Sequence, residues 1–522
     1  MRRLLASALA IAALGAPASA GAAASGSGAD ALTVTREEQL TPRLREYGLR
    51  TPALADETNV RVLLPAGYDA RSARRYPVLY LLHGCCDYDV RGSQAWTTHG
   101  EVEQTTAGAP LIVVMPDGGR GGNYANWHNN GLGGQPEWET YHMGQLMPWV
   151  DRTFRTVARR KGRAIAGLSM GGFGAMSYAS RHPDRFVAAA SFSGIVDSNV
   201  SPETVEALGG LDGGAPGSIF GQRSTEEVLW RAHNPWDLAE NLRGLKLDIR
   251  TGDGSPGGPY ATQPDNSDPL EQNVHAESLS LHSRLDALGI THVWDDYGAG
   301  THTWPYWARD LQRTLPGFLD VLAHPPAAPK SVTHTAVESE YQAYGWQVAI
   351  DRSANEFSRL AGASRSGFTL AGSGRGHVVT PAAYRPRADA EVRVDGDRGV
   401  TVRTLHADGE GRLHIDVPLG AANALQQFTP GADTKVFTTT VGITPLRLPA
   451  CTARRAFTLR VPRGVRRVRA TFGGRRAGVR VHGRRVRVSL RGRRAGAYRL
   501  VVRGRTPDGR PYKRVRTLRV CG

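Results

Sequence analysis

The stretch Arg163-Ala164-Ile165-Ala166-Gly167-Leu168-Ser169-Met170-Gly171-Gly172-Phe173 decides how this chain is read. Arg163 to Ala166 has the character of the end of a short buried strand, and Phe173 to Ser180 that of a helix stopped near His182-Pro183. Between them a serine sits among glycines. Glycine accepts the backbone angles of a sharp turn and lets strand and helix backbones approach closely. A serine hydroxyl is a poor nucleophile at neutral pH. A strand-to-helix turn of this kind exposes its oxygen to a base and turns backbone N–H groups toward an oxyanion. Gly-x-Ser-x-Gly alone is a common pattern; its position between strand and helix makes Ser169 the candidate nucleophile.

The chain has 522 residues, enough for several domains and a large core. It opens with Arg2-Arg3, an apolar run from Leu4 to Leu14 and the small residues Ala18-Ser19-Ala20, the pattern of a secretory signal peptide (residues 1–20) cleaved after Ala20. The apolar run is shorter than the ~20 residues of a membrane span, and no later segment is long enough to be transmembrane. A secreted protein, associated with the cell envelope, is expected. Its four cysteines form two pairs in a compartment that permits disulfides. Cys451 and Cys521 bracket the carboxy-terminal segment and are read as a disulfide clasping it. The adjacent Cys85 and Cys86 bond to each other only as a vicinal ring, and free, joined or otherwise paired states stay open.

Charge is unevenly spread. The formal net charge is +17, yet residues 451–522 hold 23 Arg, one Lys and a single acidic residue, Asp508, for a net +23 that leaves −6 for the rest. Such a block attracts an anionic polymer or lipid surface over about a Debye length, ~8 Å at physiological salt. Export and the scarcity of interleaved aromatics argue against nucleic acid, so an anionic cell-envelope partner is expected.

Alternating apolar runs and helical patterns fill residues 31 to about 323 and imply an α/β domain, 21–323, with a mixed sheet flanked by helices. Strands are expected at 60–64, 77–82, 111–115, 163–166, 188–193, 247–251 and 292–297, and helices at 139–154, 173–180, 270–288 and 306–322. Residues 324–330, with Pro325, Pro326 and Pro329, read as a linker. Residues 331–449 change to short alternating runs such as Glu391-Val392-Arg393-Val394, the pattern of a β-sandwich-like domain. Residues 450–522 alternate apolar and basic positions, as in Val486-Arg487-Val488-Ser489-Leu490, and read as a small Arg-rich β domain with arginine on one face.

A serine nucleophile on an α/β-hydrolase sheet is followed in the chain by an acid and then a histidine. Of sixteen histidines, His302 lies directly after the last expected strand and before the last helix, where imidazole reaches Ser169. The segments Val60 to Tyr68, Tyr80-Leu81-Leu82-His83-Gly84, Asn126-Trp127 with Trp138-Glu139-Thr140, Gly167 to Gly172, and His302 to Trp307 resemble those of the esterase D and mycolyltransferase-like family over residues ~31–323. That resemblance implies the α/β-hydrolase fold, a Ser/acid/His triad and acyl chemistry through an acyl-enzyme.

Matching the family's Leu-Glu pair selects Glu271 as the acid, with Asp253 and Asp268 as alternatives. The expected oxyanion hole is the N–H groups of Met170 and Cys85, and Trp127, Trp304 and Trp307 are candidate walls of a substrate cleft. The family's transferases carry an aspartate before the oxyanion glycine and an arginine two residues after it. His83 and Cys86 stand there instead, which favours a serine esterase over an acyltransferase acting on a sugar or glycerol hydroxyl. A non-catalytic cell-envelope binding protein is the reading from another class, and the Ser169/His302 pair argues against it. No H-E-x-x-H, paired C-x-x-C or Walker-type run suggests a metal or nucleotide cofactor.

Overall fold

A computed structural model describes residues 29–86, 89–260, 266–446 and 455–520. The expected leader and the Cys451–Cys521 pair lie outside the described residues. Nine strands form the first sheet: β1 (Thr33–Gln39), β2 (Leu44–Arg50), β3 (Thr58–Leu63), β4 (Val78–Leu82), β5 (Ile112–Pro116), β6 (Arg163–Leu168), β7 (Ala188–Phe192), β8 (Lys246–Thr251) and β9 (Val293–Asp296). Their order is β1-β2-β3-β5-β4-β6-β7-β8-β9; pairing is antiparallel from β1 to β5 and parallel from β5 to β9.

The central parallel strands β4 to β7 are unbroken runs of buried residues because helices cover both faces, while the edge strand β9 is only partly buried. Side-chain alternation splits them between two cores. Val78, Tyr80 and Leu82 of β4 face one, and Leu79 and Leu81 face the other. The helices are α1 (Gly92–Thr98), α2 (Val102–Thr105), α3 (Met147–Thr153), α4 (Met170–Arg181), α5 (Pro202–Leu211), α6 (Arg223–His233), α7 (Pro269–Ala287) and α8 (Trp304–Ala323). Helices α3, α4 and α7 fill the first core, and α1 and α8 the second. The single helix expected over 139–154 begins instead as a π-helix over Thr140–Leu146 before α3. Pro148 lacks an N–H and its ring would crowd the carbonyl of residue 144 in α-helical geometry; the wider turn relieves this.

Beyond α8 the structure is all β. Strands β10 (Val332–Ala336), β11 (Glu340–Ala343), β12 (Trp346–Asp351), β13 (Ser358–Ser364), β14 (Gly367–Gly372), β15 (Gly374–Val379), β16 (Asp389–Gly396), β17 (Gly399–His406), β18 (His414–Leu419) and β19 (Phe437–Pro445) contribute to two sheets over one core. The basic segment adds β20 (Ala456–Arg460), β21 (Arg466–Phe472), β22 (Val479–His482), β23 (Arg485–Ser489), β24 (Gly496–Arg505) and β25 (Pro511–Val520). One sheet runs β10-β13-β14-β19-β16-β17-β25-β24-β21, so its hydrogen bonding passes from the sandwich region into the basic segment. The join is a short parallel pairing of Val400–Val402 with Tyr512–Arg514. Arg514 with Glu391 and Arg510 with Asp395 brace it as ion pairs.

Helix α7 also buries Glu277, whose carboxylate accepts hydrogen bonds from Ser201 Oγ (2.7 Å) and the Asp197 N–H (3.1 Å). Burial pushes its carboxyl up to about 8. A folded value raised above the unfolded one, near 4.3, contributes stability below about pH 4 that is lost as pH rises through about 8. Glu277→Gln should therefore shrink the fall in unfolding free energy between about pH 5 and 8, by roughly 2–4 kcal/mol. Denaturant titrations at both pH values check this; identical falls in variant and wild type would refute it.

Candidate active site

Ser169 joins β6 to α4 with φ +51° and ψ −121°, a left-handed conformation in which its side chain leaves the sheet edge. The turn closes because two neighbours lack a Cβ. One at Gly167 would stand 2.2 Å from the Gly171 carbonyl oxygen, and one at Gly171 would stand 2.4 Å from the His83 carbonyl oxygen. The Ser169 N–H donates to Phe192 O of β7 (2.9 Å), which ties the turn to the neighbouring strand.

His302 lies on the loop between β9 and α8. Its Nε2 is 2.9 Å from Ser169 Oγ and its Nδ1 is 2.7 Å from Glu271 Oε2. A carboxylate is acceptor only, so Nδ1 carries the proton and Nε2 presents its lone pair to the serine hydroxyl. Glu271 is fully buried in the first turn of α7, where the helix dipole favours a negative charge. Its second oxygen accepts from Ser193 Oγ (2.7 Å), Thr251 Oγ1 (3.2 Å) and the Gly252 N–H (2.8 Å). Three donors on one oxygen fix the carboxylate plane, and the other oxygen is left to orient the imidazole.

The two alternative acids are placed otherwise. Asp253 accepts from the N–H and hydroxyl of Ser255. Asp268 caps α7 through the N–H groups of Leu270 and Glu271, and its other oxygen accepts from the His302 N–H (2.8 Å). It therefore holds the histidine loop without touching the ring. Ser193, Thr251 and this use of Asp268 are missing from the sequence reading. Ser193 and Thr251 stand at the carboxyl ends of β7 and β8, the sheet edge where sites of open α/β folds collect, and that position was the available signal.

The loop after β4 faces the same serine: a Cβ on Gly84 would come within 3.2 Å of Ser169 Cβ. His83 fixes this loop. Its Nε2 accepts from the Gly118 N–H (2.8 Å), which leaves Nδ1–H to donate to Gly84 O (2.6 Å), while its own carbonyl accepts from Tyr124 OH (2.9 Å). Gly84 C=O and Cys85 N–H belong to one planar trans peptide and point in opposite directions. Holding the carbonyl therefore aims the N–H. Cys85 and Cys86 are joined to each other, and a cavity of about 410 Å³ beside them is lined by His83, Cys86, Arg91, Asp117 and Asp212 among others.

Of the three tryptophans expected around a cleft, Trp127 is a correction. It is 5% exposed, its indole N–H donates to Gly122 O (3.1 Å), and it packs in the first core. Its motif is structural, since Asn126 and Thr140 exchange two hydrogen bonds. Trp307 is also buried and meets the His302 ring edge-on at 4.9 Å. Trp304, which stacks edge-on against Trp96 and Trp307, keeps partial exposure.

A mostly parallel sheet covered on both faces, with a serine at a strand–helix elbow hydrogen-bonded to a histidine, defines an α/β-hydrolase. The chain belongs to the esterase family described as "Putative esterase", whose sequence model matches residues 51–318. Esterase Rv1288 of Mycobacterium tuberculosis is 35% identical over 277 residues, covering 50% of this chain and 56% of that protein. The chain thus spans about half the length of the first curated relatives it matches. Diacylglycerol acyltransferase/mycolyltransferase Ag85B of Mycobacterium leprae is 28% identical over 291 residues, 54% of this chain and 85% of that one. The solved structure of Mycobacterium tuberculosis MPT51 (FbpC1) superposes with a TM-score of 0.44 at 22% identity, over 55% of this chain and 99% of that one. Among the described residues no helix is long and apolar enough to cross a membrane.

Proposed function

We propose that the chain is an exported serine esterase that hydrolyses carboxylic acyl esters through an acyl-enzyme on Ser169. The observation that carries this reading is the hydrogen-bond chain from Ser169 through His302 to Glu271, at 2.9 and 2.7 Å. As Ser169 Oγ attacks the ester carbonyl, His302 Nε2 takes its proton and Glu271 stabilises the imidazolium. The developing oxyanion is met by the N–H groups of Met170 and Cys85. The imidazolium then protonates the leaving alcohol, and water attacks the acyl-enzyme with His302 again as base. Export rests on the leader-like residues 1–20. Residues 331–449 and 450–522 follow the catalytic part as a sandwich-like and a basic β region, the latter for an anionic envelope partner.

Transfer to a hydroxyl acceptor is the second reading, favoured by relatives named as acyltransferases, one of which this chain matches over 85% of its length. Incubation with short- and long-chain acyl esters, with and without trehalose or glycerol, separates the two by product mass. Free acid alone supports hydrolysis; acylated acceptor as the main product overturns it.

His83 acts in this scheme as a positioning residue. His83→Ala should lower kcat by about 10–100-fold with little change in KM, because an oxyanion donor acts mainly in the transition state. His83→Asn, which can restore a donor to Gly84 O, should recover most of the loss. A change confined to KM, or no difference between the two variants, would rule out the role.

A further inference from the structure

The basic segment divides its arginines between two tasks. Arg510 and Arg514 pair with Asp395 and Glu391 of β16 in the same sheet, and Asp508, the one acidic residue of residues 451–522, is held by Arg510. The three-stranded sheet β20-β23-β22 is different. Its inner face buries Leu459, Val486 and Val488, while its outer face forms a groove of about 1150 Å³ lined by Arg455, Arg460, Arg480, Arg485, Arg487 and Arg491. Among the described residues none of these six pairs with a carboxylate, and no acidic side chain lines the groove.

The register sharpens the point. Arg460 stands directly opposite Arg485, and Arg480 directly opposite Arg487. Like charges opposed across strands destabilise a sheet, and such breaches of local rules mark functional surfaces. Strands lie ~4.8 Å apart and alternate residues repeat at ~6.8 Å, so the guanidinium groups form a lattice rather than a single anion site.

We infer that this groove binds a linear phosphodiester polymer through its phosphates, an inference that rests on the anionic-partner reading given above and specifies its site and chemistry. Guanidinium forks match phosphate oxygens in pairs, and hydroxyls of Thr458 and Ser489 on the same face add donors. A bilayer suits the groove less well: it is concave, and no Leu, Ile, Met, Phe, Tyr or Trp lines it to insert into lipid. The imidazole of His482 is the one ring in the lining, too little to stack a run of bases, so contact is with the polymer backbone.

The test uses the full chain and poly(glycerol phosphate) as probe, with binding followed between about 50 and 200 mM salt. Two variants remove equal charge from the basic segment: Arg485→Gln/Arg487→Gln inside the groove and Arg466→Gln/Arg469→Gln on β21 outside it. The groove variant should bind about tenfold more weakly, with the slope of log affinity against log salt reduced by about 1.5, and the β21 variant should stay within about twofold of wild type. Unchanged ester turnover and an unfolding temperature no lower than that of wild type show that both are folded. Equal losses in the two variants overturn the groove while leaving the anionic-partner reading. Absence of wild-type binding to poly(glycerol phosphate), to polygalacturonate and to phosphatidylglycerol vesicles alike overturns both. Equal affinity for polygalacturonate overturns the phosphate chemistry, and binding only to phosphatidylglycerol vesicles overturns the polymer in favour of lipid.

Discussion

Replacing Ser169 by alanine is expected to remove ester turnover, with kcat lower by ~10⁴–10⁶ and a residue of activity from the oxyanion donors and binding. The fold should survive. Ser169 is held at φ +51° by the turn around it, and alanine suffers no more there than serine does. The side-chain hydrogen bond lost is the one to His302, which keeps Glu271 as partner. The unfolding temperature should therefore move by only a few degrees while hydrolysis of a chromogenic ester disappears. A fluorophosphonate probe should label the wild type at residue 169 and leave the variant unlabelled. Unchanged turnover in the variant would sink the acyl-enzyme mechanism.

Glu271→Gln should lower kcat by ~10³–10⁴, because the imidazole loses both the acceptor that fixes its tautomer and the charge that stabilises its protonated form. The variant also carries a stability cost of ~1–3 kcal/mol. A glutamine amide has one oxygen, and it cannot serve His302 Nδ1 and the three donors Ser193, Thr251 and Gly252 together. Asp253→Asn should leave kcat within about threefold of wild type, since that carboxylate serves Ser255. Asp268→Asn tests something else, the fixing of the His302 backbone, and should fall between them. Steady-state kinetics of the three variants orders the carboxylates; a larger loss for Asp253→Asn than for Glu271→Gln would reassign the acid.

Ser169 and His302 were legible because each is marked by local features: glycines around a turn, and a histidine between the last strand and the last helix. The acid was not. Asp253, Asp268 and Glu271 fall within one short stretch of chain, and what separates them is burial and side-chain direction, which a single sequence does not encode. Resemblance selected Glu271 where residue chemistry left three options. Strands β1 and β2 were missed for a related reason. β1 reads Thr-Val-Thr-Arg-Glu-Glu-Gln and lies at the sheet edge exposed, with no apolar alternation to betray it. Trp127 shows the opposite error, since an aromatic near a catalytic motif looks the same in sequence whether it lines a cleft or fills a core. The alternation in the basic segment was visible, but the parallel pairing of β17 with β25 joins residues over a hundred positions apart, and no local pattern announces it.

That pairing gives the basic segment a protective duty toward its neighbour. Without residues 511–520, β17 would end the sandwich's larger sheet with unpaired backbone groups, and Val400 and Val402, now packed against the basic segment's core, would lie bare beside them. An open edge flanked by apolar side chains recruits strands from other chains. β25 covers that edge where Val400 to Val402 would otherwise present both open backbone groups and bare valines, whatever else its arginines bind.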